Sequence, residues 1–576
     1  MTQVGLSHRW NLRPADDTKV NELIIDMGLH RILARVLVAR GIDSKEAAER
    51  YLKPELSALG DPFAFADMDI ACDRLLKAIQ QNEVIGIFGD YDVDGVTSTV
   101  LLWEFLESCG AQVVATIPDR LREGYGLNVA GLDRLQAGGA TLIVTVDCGI
   151  TAHKEVEEAV TRGIDVIVID HHTVLVDLPK AVAVINPHRP DCGRAATHMC
   201  AVGVVFNLCM ALRKRLREAN FFAENPEPNL KDLLDLVALG TVADVVPLVL
   251  DNRIFVHHGL DLIRQERRIG FKALLEVAEV KEGKVSASTL GFHLGPRINA
   301  AGRLEDAMQA VKLLRTKEMS AATVMAQMLN TQNQSRRDLE KEILAEAISE
   351  ISNSKEHKDA LVLVVGREHW HPGVVGIVAS RLVEKFGKPT VVIGENGKGS
   401  GRSIPAFHLH QSLCQVQDCL QGFGGHAHAV GVHLVFSQLS LFRDLLNQYA
   451  AKVLKPEDLI QTIVYDGEIA GDDVSENLVN DLAVAAPFGR GNPEPVFRLK
   501  CLSFRNLREL KGGHLRGEIL LKKNIPFVAF GMLEKMKLFE KPADVLAYLE
   551  INEWMGRRTI QLRIKDIQVA LTNSVN

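Results

Sequence analysis

The chain of 576 residues lacks the sequence features of secreted and membrane-spanning proteins. Its nine cysteines include no Cys-x-x-Cys pair, which argues against a disulfide framework and against a cysteine-rich zinc site. No uncharged apolar run reaches the roughly 18 residues that a spanning helix needs. The first ten residues contain no apolar segment of the kind that directs secretion. We therefore expect a protein of the reducing cytoplasm with no membrane association.

Low-complexity tracts and solenoid-type repeats are also missing, and the net charge of −7 shows no excess of basic residues. A hydrophobic content of 47% and a charged content of 24% are ordinary for a globular protein. Any nucleic-acid partner must therefore be held by local basic patches, because the chain as a whole would repel it.

The first half of the chain alternates strands and helices. Residues 1–60 predict short helices, over residues 19–40 and 44–52, as an N-terminal helical appendage to the first domain. Residues 61–315 predict an α/β domain with a doubly wound, mostly parallel sheet, because the strand candidates are short, β-branched and nearly all apolar. These candidates are residues 84–89, 113–117, 141–146, 165–169 and 181–185.

The second half changes pattern twice. No glycine or proline lies between Gly302 and Gly366, so residues 316–355 predict one long helix or two abutting ones, as a domain connector or as a surface helix. Residues 356–457 predict a smaller α/β lobe with strands at 360–365 and 390–393, a helix at 375–386 and Gly-rich turns at 397–403 and 422–431. Residues 458–576 predict a small barrel or sandwich of six strands, the first at 463–466.

Acidic residues follow the predicted strand at residues 84–89 at alternate positions, Asp90, Asp92 and Asp94. A helix is expected from Gly95. Alternate side chains of an extended chain point the same way, so we expect these acids to converge at the carboxyl edge of the sheet, where open α/β sheets bind ligands. For this stretch alone, a solvated acidic turn is the alternative.

Three further segments are expected to bring acids to the same edge. They supply Asp147, the run Asp170-His171-His172, and Asp244 after residues 233–239. So many carboxylates repel one another unless more than one cation lies between them, and a histidine among them favours Mn²⁺ over Mg²⁺ or Ca²⁺. Two ions about 3.5–4 Å apart would polarise a phosphoryl group and supply hydroxide, so phosphoester or phosphoanhydride hydrolysis is the expected chemistry.

The motifs Asp-x-Asp-x-Asp-Gly, Val-Asp-x-Gly, Asp-His-His and Gly-Thr-Val-Ala-Asp, in this order, resemble the DHH phosphoesterase superfamily. Within it the chain resembles the RecJ family of single-strand-specific exonucleases. Further similar stretches are residues 119–127, 295–303, 371–381, 399–403 and 424–426. The resemblance covers residues 85–431, and one departure, Val430 in place of a usual alanine, removes no functional group. It implies a DHH catalytic domain, a DHHA1 substrate-binding lobe and a C-terminal OB-fold.

The resemblance also implies two divalent cations, Mn²⁺ preferred or Mg²⁺, that share Asp147. The implied ligands are Asp90, Asp92 and Asp147 for one ion, and Asp94, Asp147, His171 and Asp244 for the other. His172 would face the scissile phosphate, and Asp170 would orient a histidine. For His172, a buried hydrogen-bonded histidine is the alternative.

Candidate substrate-binding residues lie in Gly-rich stretches, where guanidinium groups and closely approaching backbone suit phosphate. They are Arg120, Tyr125, Arg297, Asn299, Arg303, Ser400, Arg402, Gly425 and His426. The resemblance implies that Arg120, Ser400 and Arg402 bind a terminal 5′-phosphate and so set 5′→3′ polarity. Tyr125 stacks on a base or packs within its loop.

A local basic run lies near the C-terminus. Residues 498–523 hold eight basic side chains against two acidic ones, with Phe497 and Phe504 interleaved. A basic groove with aromatic residues is the single-strand-binding arrangement of OB-folds, whereas composition alone is equally compatible with a solvated basic face. The run at residues 213–217 predicts a solvated helix face.

The expected function is that of a two-metal-dependent 5′→3′ exonuclease. It would degrade single-stranded DNA to 5′-mononucleotides in recombination and repair, as a cytoplasmic monomer. By resemblance alone, single-strand-binding protein and a RecQ-type helicase are expected partners. The alternatives are an oligoribonuclease, a cyclic-dinucleotide phosphodiesterase or a pyrophosphatase, which usually lack the basic C-terminal domain. An inactive scaffold would lack metal-binding acids.

Overall fold

The computed structural model describes residues 8–570 except 121, 175–176, 195–197, 282, 305 and 555, and leaves out the side chains of residues 303, 304 and 554. Contacts within the chain define two compact units. The sheet unit contains residues 50–334 and 486–493, and the barrel unit contains residues 1–49, 335–485 and 494–576.

Five parallel strands form one sheet among the described residues of the sheet unit. Numbered by their order in the chain, the strands lie side by side in the order 2-1-3-4-5. They are Val84–Gly89, Gln112–Thr116, Ala140–Val146, Asp165–Ile169 and Ala183–Ile185. The central strands are almost wholly buried, as in sheets that helices cover on both faces. The strand order reverses between the first and third strands, so the carboxyl ends of these two strands form the topological switch point. The predicted doubly wound sheet is confirmed.

Helices surround this sheet. They are Met68–Gln80, Val93–Ser108, Val129–Ala137, His153–Thr161, Ala201–Glu218, Leu234–Ala243, Leu250–Arg264, Ile269–Val277, Ala287–Thr289, Gly295–Leu304 and Met308–Arg315, with a π turn at Leu290–Leu294. The segment at residues 233–239 was expected to end at the sheet edge like a strand, which is wrong. It begins a helix packed among other helices, and an unbroken apolar run does not distinguish a buried helix from a buried strand.

The N-terminal residues also differ from the expectation. Besides the helices Asp17–Met27, Arg31–Val38 and Lys45–Leu52, they form a strand, Arg9–Leu12, which pairs in parallel with Thr462–Tyr465. Residues up to Glu49 therefore belong to the barrel unit and not to the first α/β domain. The predicted strand at residues 463–466 is used in this pairing and not in the barrel.

Met319–Asn353 is a single helix of 35 residues, so the alternative of two abutting helices is wrong. Its residues up to Gln334 belong to the sheet unit, and its residues from Ser335 belong to the barrel unit. Across the described ranges, every helix is too short or too polar to cross a lipid bilayer.

A mixed sheet forms one part of the barrel unit. Its strands, in spatial order, are Gly422–Gly425, Ala429–His433, Lys398–Arg402, Thr390–Ile393 and Leu363–Gly366. Its helices are Lys355–Lys358, Pro372–Phe386, Leu409–Cys414 and Leu439–Val453. The stretches predicted as Gly-rich turns are largely strands. A Cβ at Gly399 would lie 2.3 Å from Ile393 and one at Gly401 would lie 2.6 Å from Leu409, so these glycines permit close packing.

A closed barrel forms the C-terminal part. Its five strands among the described residues are Phe497–Leu510, His514–Leu520, Ile525–Ala529, Arg557–Val569 and Ala543–Trp554. The barrel closes because Phe497–Leu510 pairs with both His514–Leu520 and Ala543–Trp554. The strand Gly467–Glu468 and the helix Glu476–Ala483 precede it. The predicted barrel is confirmed.

Candidate metal centre

Asp90, Asp92 and Asp94 lie where the strand Val84–Gly89 turns into the helix Val93–Ser108. The carboxylate of Asp92 caps this helix by accepting hydrogen bonds from the backbone N–H groups of Asp94, at 2.9 Å, and Gly95, at 3.2 Å. The helix therefore begins earlier than expected, and the acids do not alternate along an extended chain. A Cβ at Gly95 would lie 2.4 Å from the carbonyl oxygen of Asp90, so only glycine fits this turn.

The three acids of this turn belong to two different groups of possible metal ligands. Ligand atoms of Asp90, Asp92 and Asp147 lie within 4.8 Å of one another, and so do those of Asp94, His171 and Asp244. A third group, Asp147, His171 and His172, shares one member with each of these two. The two groups meet where Oδ1 of Asp147 lies 3.2 Å from Nε2 of His171.

Different elements deliver the other members of the groups. Asp147 follows the strand Ala140–Val146 in a left-handed conformation with φ of 64°, which is uncommon for a residue other than glycine. Its backbone N–H donates to the carbonyl of Ile169, which holds it beside the next strand. His171 follows that strand, whereas Asp244 follows the C-terminus of the helix Leu234–Ala243.

The carboxylate of Asp94 is held by the start of another helix. This carboxylate accepts hydrogen bonds from the backbone N–H groups of Ala201, at 2.6 Å, and Val202, at 2.9 Å, at the start of the helix Ala201–Glu218. The N-terminus of a helix favours a negative charge, so this contact stabilises an ionised carboxylate in a fully buried position.

The electrostatics of the acids fit divalent cations. Burial, reinforced by Asp92, raises the pKa of Asp94 to about 7, and burial, reinforced by Asp94 and Asp92, raises that of Asp244 to about 8. Burial also raises the pKa of Asp90 and of Asp147. Oδ1 of Asp90 and Oδ1 of Asp147 are buried and accept no hydrogen bond of suitable geometry among the described residues, although Nε2 of His171 lies 3.2 Å from Oδ1 of Asp147. Oxygen ligands with one imidazole suit Mn²⁺ or Mg²⁺, which would satisfy these orphaned atoms.

His172 belongs to a second arrangement beside the acids. Its Nδ1 lies 2.7 Å from Oδ1 of Asp170, which also accepts the backbone N–H groups of His171 and His172. Burial opposes the charge of His172, but the hydrogen bond to Asp170 and the negative charges of the nearby acids together outweigh it and raise the histidine pKa to about 9. Burial opposes ionisation of Asp170 as well, and the same hydrogen bond nevertheless lowers its pKa. Each member of the pair therefore favours the charged form of the other.

A cavity of about 280 Å³ opens over both arrangements. It is lined by Asp90, Asp92, Asp147, Asp244, His171 and His172 together with Tyr91, Arg120, Tyr125 and Asn299. The guanidinium of Arg120 lies 4.8 Å from the centre of the Tyr91 ring. The hydroxyl of Tyr125 donates to the carbonyl oxygen of Asp147 at 3.2 Å and lies 3.2 Å from Nδ1 of His172. Three predicted substrate residues, Arg120, Tyr125 and Asn299, therefore share one cavity with the acids.

Arg297 is placed differently. The predicted loop is the helix Gly295–Leu304, and Arg297 is buried at 6% exposure. Its guanidinium donates to Oδ1 of Asn330 at 3.0 Å and to the carbonyl of His293 at 2.6 Å. Arg297 was expected to bind phosphate, but its side chain is instead buried between helices. The side chain of Arg303 lies outside the described part of the chain.

The remaining substrate candidates lie together in the barrel unit. Ser400 and Arg402 occupy the strand Lys398–Arg402, and Nη1 of Arg402 donates to Oγ of Ser400 at 2.9 Å. Burial lowers the pKa of Arg402. Gly425, with φ of 129°, and His426 begin the hairpin loop at the same end of this mixed sheet, next to Val430.

The basic run on the barrel is partly neutralised. Arg498, Lys500, Arg505 and Lys522 pair with nearby acids. Phe497 and Phe504 pack inside the barrel, so their predicted place in a groove is wrong, because both lie on strand faces that the barrel core covers. Sequence analysis missed Phe530, which is 56% exposed beside the ring of His514.

Family models match three parts of this chain: the DHH family N-terminal domain at residues 84–241, the DHHA1 domain at residues 357–452 and the RecJ OB domain at residues 465–566. The chain is 38% identical to the single-stranded-DNA-specific exonuclease RecJ of Dickeya dadantii, over 96% of this chain and 98% of that one. It is also 38% identical to the corresponding Escherichia coli protein, over 93% and 95%. The crystal structure of Thermus thermophilus RecJ in complex with Mn²⁺ superimposes with a TM-score of 0.82 at 30% identity, over 97% of this chain and 79% of that one.

High identity over nearly the full length, a matching order of domains and the acid cluster at the switch point lead to one conclusion. The chain belongs to the RecJ family of the DHH phosphoesterases.

Proposed function

We propose that this protein is a two-metal-dependent 5′→3′ exonuclease that degrades single-stranded DNA to 5′-mononucleotides, in recombination and repair. The observation that carries the proposal is the pair of ligand groups that meet at Asp147, with two orphaned buried carboxylate oxygens. Relatives named single-stranded-DNA-specific exonucleases support the substrate class.

The proposed ligands fall into two sets, one for each cation. Asp90, Asp92 and Asp147 would hold one cation, and Asp94, His171 and Asp244 would hold the other together with Asp147. Two such cations, when bound, activate a water molecule and neutralise charge on the scissile phosphate. The left-handed backbone at Asp147 turns its carboxylate between the two groups, which supports a bridging role.

His172, next to the proposed metal ligands Asp147 and His171, would contact the scissile phosphate. Its Nδ1–H is engaged by Asp170, so Nε2–H, 3.5 Å from the Tyr125 hydroxyl, is the group that would donate to a phosphate oxygen. A hydrogen bond from this group stabilises negative charge that develops as the phosphodiester is cleaved. Asp170 is a positioning residue, since its hydrogen bonds within the described part of the chain go to the His172 ring and to the backbone N–H groups of Ile150, His171 and His172.

Other residues bind the strand. In the sheet unit, Arg120 offers a guanidinium to phosphate and Tyr125 an exposed ring to a base or sugar. In the barrel unit, Ser400 and Arg402 suit a terminal 5′-phosphate, and Gly425 and His426 suit the backbone that follows. This assignment supports 5′→3′ polarity.

The barrel would hold single-stranded DNA through its unpaired basic residues. Arg508 and Arg516 lie directly opposite each other on neighbouring strands, an arrangement that like charges disfavour and a phosphate would relieve. Phe530, beside His514, is the exposed ring on which a base would stack. Single-strand-binding protein and a RecQ-type helicase remain proposed partners, and a cytoplasmic location and a monomeric state remain proposed as well.

The test is cleavage of 5′-labelled and 3′-labelled single strands, each beside its duplex, with Mn²⁺, Mg²⁺ or EDTA. We expect early release of a labelled mononucleotide from the 5′ label alone, only from single strands and only with metal. Asp147→Asn is the matched inactive control.

Two other results would overturn the proposal. Turnover of dinucleotides or pyrophosphate without cleavage of long strands would identify a small-substrate phosphodiesterase. DNA binding without any metal-dependent cleavage would identify an inactive scaffold.

A further inference from the structure

The segment of residues 486–493 is separated from the rest of the sheet unit by more than 150 residues of the barrel unit in sequence, yet it packs within the sheet unit. We call this segment the clamp. It folds back on itself, because Gly489 and Asn492 exchange two backbone hydrogen bonds. Chain position alone would assign it to the C-terminal domain.

Buried polar contacts anchor the clamp. Arg253, 3% exposed on the helix Leu250–Arg264, donates from Nη2 to the carbonyl of Ala486 at 2.7 Å. The same guanidinium stacks on the ring of Tyr51 at 3.8 Å, and the Tyr51 hydroxyl donates to Oδ1 of Asn492 at 2.6 Å. A charged side chain is desolvated only where its donors are used, so this is a specific docking site.

The clamp rests on the loop that follows Asp244. The backbone N–H of Leu248 donates to the carbonyl of Arg490 at 2.7 Å. A Cβ at Gly489 would lie 2.7 Å from Leu248, and one at Gly491 would lie 2.8 Å from Pro247. Glycines at these two positions let the clamp backbone approach the loop closely.

Arg490 reaches the residue next to Asp244. Its Nη1 donates to the carbonyl oxygen of Val245 at 3.2 Å. Val245 has φ of 60°, a left-handed conformation that is a marked outlier for a β-branched residue and that persists only where surrounding contacts hold it.

We propose that the clamp, through Arg490, is a positioning device that holds the strained backbone at Val245 and thereby aims the carboxylate of Asp244 at its metal. Arg490 is a positioning residue for one of the two cations. Asp244 needs this support because it follows a helix end, whereas Asp90 and Asp147 directly follow strands of the sheet. The inference rests on the proposed two-metal function.

The experiment titrates Mn²⁺ into the metal-free full-length protein by isothermal titration calorimetry and measures kcat and KM on single-stranded DNA. For Arg490→Ala we expect one of two Mn²⁺ affinities to fall by about 10-fold, as for other contacts that orient a metal ligand. The other affinity and KM stay within about twofold, kcat falls, and Arg490→Lys recovers part of the loss. Since Arg490 is exposed, the variant is expected to fold.

Two further variants complete the design. Tyr51→Phe removes the hydroxyl contact to Asn492 but keeps the ring on Arg253, and is expected to weaken the same Mn²⁺ site by a smaller factor. Arg217→Ala removes an exposed arginine of the helix Ala201–Glu218, which pairs with Glu227 and not with the clamp, and is expected to change neither affinity.

The outcomes separate the inference from the proposed function. If the unmodified protein binds no Mn²⁺, the two-metal function fails. If it binds two ions and Arg490→Ala binds both equally well, the positioning role is overturned. A rise in KM with unchanged Mn²⁺ affinities also overturns it and makes Arg490 a direct contact to DNA.

Discussion

The carboxylate of Asp92 accepts a hydrogen bond from the backbone N–H of Asp94 at 2.9 Å. Two acids assigned to different cations are therefore linked by a helix cap: the residue that helps hold one ion also fixes the first turn of the helix that carries a ligand of the other. Any substitution of Asp92 must separate its charge from its capping role.

Asp92→Asn makes this separation, because asparagine caps helices about as well as aspartate but carries no charge. We expect cleavage of single-stranded DNA to fall by more than about 100-fold, since even outer contacts to metal ligands cost roughly 10- to 100-fold. The thermal midpoint of unfolding should stay within a few degrees. Asp16→Asn, which alters an N-cap outside the cluster, is the control and should leave both quantities unchanged. Near-normal turnover of Asp92→Asn would contradict the metal assignment.

Tyr125 allows its ring and its hydroxyl to be tested separately. The hydroxyl contacts the carbonyl of Asp147 and lies beside His172. Tyr125→Phe should therefore lower kcat by roughly 5- to 10-fold, the value of about one hydrogen bond, with little change in KM. Tyr125→Ala removes the ring as well and should also raise KM. Steady-state kinetics on a single-stranded oligonucleotide measure kcat and KM for both variants. An unchanged kcat for Tyr125→Phe would leave Tyr125 only a role in stacking on a base.

From the lowered pKa of Asp566 we expect the stability of the barrel unit to depend on pH. Burial opposes ionisation of Asp566, but hydrogen bonds from His8, Lys535 and Trp10 outweigh burial and lower the pKa to about 2. A lowered pKa stabilises the fold above the unfolded value of about 3.9, and this contribution disappears as the pH falls through the folded value. Asp566→Asn should thus cost about 2 kcal/mol at pH 7.

Urea unfolding at several pH values between 7 and 3 checks this expectation. The difference between the midpoints of the unmodified protein and Asp566→Asn should narrow as the pH falls from about 4 towards 3. Asp472→Asn, which breaks an exposed pair with Lys522, should leave the midpoint unchanged at every pH. A constant difference for Asp566→Asn would show that its effect is not electrostatic.

Strand-borne parts of the site could be predicted from the sequence. Asp90 and Asp147 follow short apolar strands whose bounds agree with the prediction within a residue. The parallel order of these strands brings their carboxyl ends together, so the convergence of the acids required no side-chain information. Asp244 was expected in the cluster for the wrong reason, because its apolar run forms a helix.

Long-range packing could not be predicted. Glycine and proline near Arg297 indicated a loop, whereas Gly295–Leu304 is a helix whose arginine packs against Asn330. Glycine and proline in the clamp correctly indicate a turn, but no local pattern encodes its docking on Arg253, which lies more than 200 residues earlier. Both contacts join residues that are far apart in the chain, so no repeating pattern in the local sequence indicates them.

The sheet unit is discontinuous in the chain, and this sets the order in which it is completed during synthesis. Its final eight residues emerge from the ribosome only after the long helix, the mixed sheet and the helix Glu476–Ala483 have been made. The nascent protein therefore carries the acids from Asp90 to Asp244 without the clamp while more than 200 further residues are made. A fragment that stops at residue 457 would keep these acids but would remain in that immature state.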